Sequence, residues 1–133
     1  MSKSSFDYFV ENNQVEMHTQ RVASRPDGSD MDGDHWKCLI HSGHRRYTVY
    51  FTCGYGHNGK DPDLKTVLEC LQSDARAGNQ SFEYFCGDFG YDTDSRRAEA
   101  TWKACRKTHK ELTRLFGIQV DTFLSLDFNE ENE

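Results

Sequence analysis

Apolar and polar positions alternate most regularly over 35–41 (HWKCLIH) and 46–53 (RYTVYFTC), which predicts two β-strands. Between them lies His41-Ser-Gly-His-Arg, a turn in which Gly43 can take positive φ. Side chains alternate along a strand, so the register can be derived directly. Pairing Ile40 with Tyr47, Cys38 with Val49 and Trp36 with Phe51 puts all six on one face. The other face then pairs Leu39 with Thr48, Lys37 with Tyr50 and His35 with Thr52. One apolar and one mixed face predict an antiparallel sheet covered on one side. Residues 15–23 (VEMHTQRVA) have looser alternation and predict a third strand.

The period changes after residue 60. Leu64, Val67, Leu68, Leu71 and Ala75 form a helical stripe, with Asp61 as the expected N-cap, Pro62 at the first helical position and a break at Gly78-Asn79. Ser81 is placed to cap a short helix through Phe82, Phe85 and Cys86 that stops at Gly87 or Gly90. A long helix is expected from Thr93 or Asp94, with a buried seam of Ala98, Trp102, Cys105, His109, Leu112 and Phe116 and with Gly117 just past its end. Strands followed by three helices predict an α+β fold in a single domain over 1–133, its sheet face packed against the helices. Residues 1–12 read either as a polar, frayed start or as a segment that docks through Phe6, Tyr8, Phe9 and Val10, and 127–133 as a solvated acidic tail; 118–126 fits a docking helix or an extended segment.

Composition adds constraints. Hydrophobic residues make up 35% of the chain and mean hydropathy is -0.86, but aromatic residues reach 13%, enough ring area for a thin core under a polar surface. No run of about 18 apolar residues suggests a transmembrane helix. The N-terminus has no apolar signal core, so a cytoplasmic protein is expected. Cys38, Cys53, Cys70, Cys86 and Cys105 are odd in number, widely spaced and without CxxC, which fits buried reduced thiols. The net charge of -6 is unevenly spread. Residues 96–114 hold seven Lys and Arg against Glu99 and Glu111, so the rest of the chain has nine basic and twenty acidic residues.

The segments VLECLQSDA (67–75), SFEYFCGDFGYDTDSRRAEATWKAC (81–105) and LFG (115–117) carry a resemblance. They are similar to small proteins of unknown function encoded by bacteriophages and prophages, in which a VLxCLxSDA helix precedes SFExFCxxFGYDTDSRxAExTxxAC and a helix ending in LFG. The resemblance covers roughly the last two thirds of the chain. It implies a phage or prophage origin, a setting in which anti-CRISPR and anti-restriction proteins are common.

The sequence has no catalytic signature. GxSxG, GxxxxGK[ST] and GxGxxG are absent, and Asp88-Phe89-Gly90 lacks every other kinase element. His41-x-x-His44 and Cys53-x-x-x-His57 suggest zinc, but they lie at opposite ends of a hairpin roughly 20 Å long at about 3.3 Å per residue. A smaller set of His35, Cys53 and His57 would still need a fourth ligand. Asp27, Asp30, Asp32 and Asp34 crowd one loop, but without the Gly and Glu that a calcium loop requires. No cofactor and no enzyme activity are expected.

Two charged surfaces remain. Asp27, Asp30, Asp32, Asp34, Asp88, Asp92 and Asp94, with the 54–59 loop, are the expected contacts of an acidic inhibitor. Such an inhibitor would occupy the basic nucleic-acid channel of a bacterial defence complex of CRISPR-Cas or restriction type, blocking nucleic-acid binding or nuclease recruitment. The alternative is a nucleic-acid-binding accessory protein that uses Lys103, Lys107, Lys110 and Arg114 on the outer face of the long helix.

Overall fold

The computed structural model describes residues 4–22, 34–53 and 62–128. The chain divides into two compact units, residues 1–67 with 127–133, and residues 68–126.

The first unit is built on a three-stranded antiparallel sheet, Val15–Val22 (β1), Asp34–Ser42 (β2) and Arg45–Cys53 (β3), in the order β1-β2-β3. The β2–β3 register matches the one derived from alternation, with Ile40 opposite Tyr47, Cys38 opposite Val49 and Trp36 opposite Phe51. On β1, Val15 and Met17 continue this apolar face beside Ser42 and Ile40, whereas Thr19 and the exposed Arg21 lie opposite Cys38 and Trp36. Trp36, Cys38 and Ile40 are buried, while Glu16, His18, Arg46, Thr48 and Tyr50 on the opposite face are exposed. In the hairpin turn Gly43 has φ +60 and His44 has no positive φ, the arrangement of a type II′ turn, which matches the twist of the flanking strands.

A helix precedes the sheet, so of the two expectations for the start of the chain the docked one holds, through Phe6 and Phe9. Ser5–Asn12 (α1) begins with a reciprocal capping box: the Ser4 hydroxyl accepts from the Asp7 N–H and the Asp7 carboxylate accepts from the Ser4 N–H. Phe6 and Phe9 are buried. Phe6 meets Phe128 at 5.3 Å between ring centroids, so Phe128 is core rather than solvated tail.

In the second unit, Leu64–Gly78 (α2, belonging to this unit from Leu68 on), Phe82–Phe89 (α3), Arg96–Phe116 (α4), a 3-10 turn Gly117–Gln119 and Val120–Leu124 (α5) follow in order. The predicted stripe on α2 is buried at Val67, Leu68, Leu71 and Ala75. Its cap is Asp63, whose carboxylate accepts from the Thr66 N–H at 2.7 Å, two residues after the expected Asp61, which lies outside the described residues. The α3 boundaries follow the expectation: Ser81 caps the start, accepting from the Tyr84 N–H, and Gly90 ends it in the left-handed region at φ 72. The long helix starts later than expected, at a Ser95 cap that accepts from the Ala98 N–H. Its seam buries Ala98, Cys105, Leu112, Leu115 and Phe116, whereas Trp102 and His109 are only half-buried. Nor is it the last helix. Gly117, at φ 59, turns the chain into the 3-10 segment and α5, which bring Val120 and Phe123 into the core, with Phe123 packed 4.8 Å from Phe116.

Candidate functional site

The α2–α3 connection and the first residues of α3 face the middle of α4 across a cleft of about 1340 Å³. Its wall on α4 carries Trp102, Arg106, Lys107, Lys110 and Arg114, and Gly78–Phe82 forms the opposite wall. Close approach comes first. Gly78 ends α2 against the α4 backbone, where a Cβ would fall well under 3.0 Å from the Cys105 carbonyl. Beneath the cleft lies an apolar cluster of Ala77, Phe85, Cys86, Ala98 and Cys105, with Phe82, Tyr91 and Trp102 packed against it.

The Trp102 ring is fixed at its edge and flanked by neighbours. Its indole N–H donates to the Gln80 carbonyl at 3.1 Å, Phe82 lies 5.3 Å away between centroids, and the exposed Arg106 guanidinium sits over the indole at 4.8 Å. A guanidinium over an indole face is a favourable cation–π pair, and it holds the positive charge in place.

The charged groups of the cleft differ in how free they are. Arg114 is paired with Glu111 at 2.7 Å, which offsets part of its field. Lys107 and Lys110 are exposed and have no ion-pair partner among the described residues. Lys103 does not line the cleft and pairs with Glu99 at 2.9 Å. Of the four basic residues singled out from the sequence, the structure therefore gathers Lys107, Lys110 and Arg114 and leaves Lys103 outside. It adds Arg106, whose place four residues after Trp102 was a readable i,i+4 signal, and the half-buried His109, which lines the cleft instead of the core seam.

The local charge balance favours an anion more than the whole-chain value suggests. Residues 68–126 hold eight Lys and Arg against nine Asp and Glu, a net of -1, so the other unit carries eight against thirteen and a net of -5.

The acidic candidates are placed unevenly. Asp27, Asp30 and Asp32 lie outside the described residues, as does the 54–59 loop. Asp34 opens β2, its backbone paired with Cys53. Asp88, Asp92 and Asp94 are all exposed, at the end of α3 and in the turn before α4. The Asp88 carboxylate accepts from the Gln80 side-chain amide at 2.8 Å, which offsets its unfavourable place at a helix C-terminus.

Among the described residues no three His, Cys, Asp or Glu side chains come together as a metal site. His35 is buried, and His18 and His41 meet edge to face at 5.6 Å on the polar face of the sheet. The described thiols Cys38, Cys70, Cys86 and Cys105 are in no disulfide; Cys70 is exposed, unlike the expected buried set. Burial, then the Asp74 and Glu69 carboxylates, pushes the Cys70 thiol up; burial, then Asp74, does the same to Cys105, and burial, then Asp92, to Cys86. Raised thiols are poor nucleophiles at neutral pH.

Comparison with protein-family models, curated proteins and solved structures finds no match to this chain. No described helix is long and apolar enough to cross a membrane.

Proposed function

We propose that the protein is a binding module that holds a nucleic acid or similar phosphate-bearing polyanion in the α3–α4 cleft. The observation that carries this reading is the convergence of Arg106, Lys107 and Lys110 on one recess that also presents Trp102. Cations at helical spacing track a phosphate backbone, and binding of this kind releases counterions. The test is a titration of the full-length protein into a labelled oligonucleotide at several salt concentrations. Binding that weakens steeply with salt and is lost in Lys107→Glu/Lys110→Glu, but kept in Asp92→Asn/Asp94→Asn, supports the reading. A flat salt response, or full binding by the double reversal, overturns it.

A second reading is an inhibitor of a bacterial nucleic-acid-handling defence complex that binds through an acidic surface. The exposure of Asp88, Asp92 and Asp94 within one short stretch favours it, together with the phage-type resemblance of residues 67–117. Stoichiometric, nuclease-resistant capture of such a complex from lysate, lost in Asp88→Asn/Asp92→Asn/Asp94→Asn, would favour this reading over the first.

A further inference from the structure

We infer that the cleft reads single-stranded nucleic acid by stacking a base on the Arg106–Trp102 layer. The inference rests on the polyanion reading above and specifies what the recess accepts beyond phosphate.

Three features of the site support it. The first is preorganisation: Phe82 and the hydrogen bond to the Gln80 carbonyl both hold Trp102, so its orientation is set before a ligand arrives. The second is the exposed layer. Arg106 is exposed and its guanidinium lies over the half-buried indole, presenting a flat cation instead of a tumbling charge. Bases stack on guanidinium planes as they do on aromatic rings. The third is the adjacent charge. Lys107 and Lys110 lie on the same helix and line the same cleft, where they can meet the phosphates flanking the stacked base.

Stacking separates the possible polyanions. A duplex keeps its base faces inside the stack and offers mainly phosphates and groove edges, so it gains nothing from a flat cation in a recess. A single strand offers every base face, and sequence-tolerant stacking beside a basic groove is the usual way proteins hold it. An acidic peptide offers charge without an extended π-surface.

The experiment uses full-length protein carrying Trp36→Phe, which leaves Trp102 as the only tryptophan. The probes are a thymidine oligomer, an abasic phosphodiester oligomer of equal length, a duplex and a poly-glutamate of equal charge. The expected result is that the thymidine oligomer binds roughly ten-fold tighter than the abasic one and changes Trp102 fluorescence. The preference of thymidine over abasic should fall toward one in Arg106→Lys, which keeps the charge and removes the plane, and in Trp102→Ala. Arg106→Lys changes only an exposed side chain, so the test survives if Trp102→Ala does not fold. Equal, salt-sensitive binding of the thymidine and abasic oligomers overturns the stacking inference and leaves the polyanion reading standing. Tighter binding of the duplex or of poly-glutamate also overturns it, the latter by pointing to an acidic protein surface. Failure of every probe at low salt overturns both.

Discussion

Gly78 and Cys105 mark the point where α2 meets α4 backbone to backbone. A Cβ on Gly78 would lie well under 3.0 Å from the Cys105 carbonyl carbon and oxygen, atoms that belong to a helix interior and cannot swing aside. Gly78→Ala should therefore push the two helices apart and destabilise the protein by about 1–3 kcal/mol, the usual cost of overpacking. Gly87 is the internal control. It lies within α3 with nothing within 4 Å of its would-be Cβ, so Gly87→Ala should stabilise by about 0.5–1 kcal/mol. Urea melts of the two variants should shift in opposite directions; equal shifts would mean the close approach does not limit packing.

The α5 helix depends on a side chain far away in sequence. Gln72, buried on α2, donates its amide to the carbonyls of Phe123 at 2.8 Å and Leu126 at 3.0 Å, and the Arg76 guanidinium donates to the Leu124 carbonyl. The Phe123 carbonyl also accepts from the Leu126 N–H at 3.2 Å, so the Gln72 amide is a further donor there, and a buried carbonyl left without a donor is costly. Gln72→Leu keeps the apolar bulk and removes both donors, so a loss of about 1–3 kcal/mol is expected. Faster amide exchange in 120–126 should accompany it. A global loss without that local change would contradict the capping role.

Asp74 makes stability depend on pH. Asp74 is exposed overall, and partial desolvation of its carboxyl raises its pKa in the folded protein above the ordinary aspartate value. A raised folded value means that the neutral form fits the fold better. Its contribution is thus complete below the ordinary value and is lost as pH rises through the raised one. Asp74→Asn should match the wild type in acid and exceed it in stability at neutral pH, as read by thermal melts across that window. Because Asp74 also raises the Cys70 and Cys105 thiols, the same variant should speed thiol labelling at the exposed Cys70 while leaving Cys86 slow.

The helix caps supply a plainer test. Ser81→Ala and Ser95→Ala each remove the hydroxyl that accepts a backbone N–H at the start of α3 or α4. Each should cost about 1 kcal/mol, and Gly at either position only a few tenths. Chemical denaturation of the four variants measures both differences.

Much of the architecture was legible because its signals are local. The β2–β3 register follows from period-two alternation on both sides of a Gly turn, since a slip by one residue would turn Trp36, Cys38 and Ile40 to the polar face. Ser81 was readable as the start of α3, and its end was narrowed to Gly87 or Gly90, because capping bonds span only three or four residues. The Lys107, Lys110 and Arg114 stripe was legible from helical spacing alone.

Other features required the tertiary structure, because the atoms that produce them lie far apart in sequence. The N-terminal segment looks polar in sequence, but α1 holds together because its capping box forms and because Phe6 finds Phe128 at the other end of the described chain. Asp63 and Ser95 supply the caps of α2 and α4. The cleft exists because Gly78 lets α2 approach α4, which brings Gln80 and Phe82 to Trp102. Composition and periodicity established which residues would be apolar, basic or turn-forming, since those properties belong to single side chains and near neighbours. Only long-range packing decided which of them share a site, since a contact between distant segments leaves no periodic trace in either one.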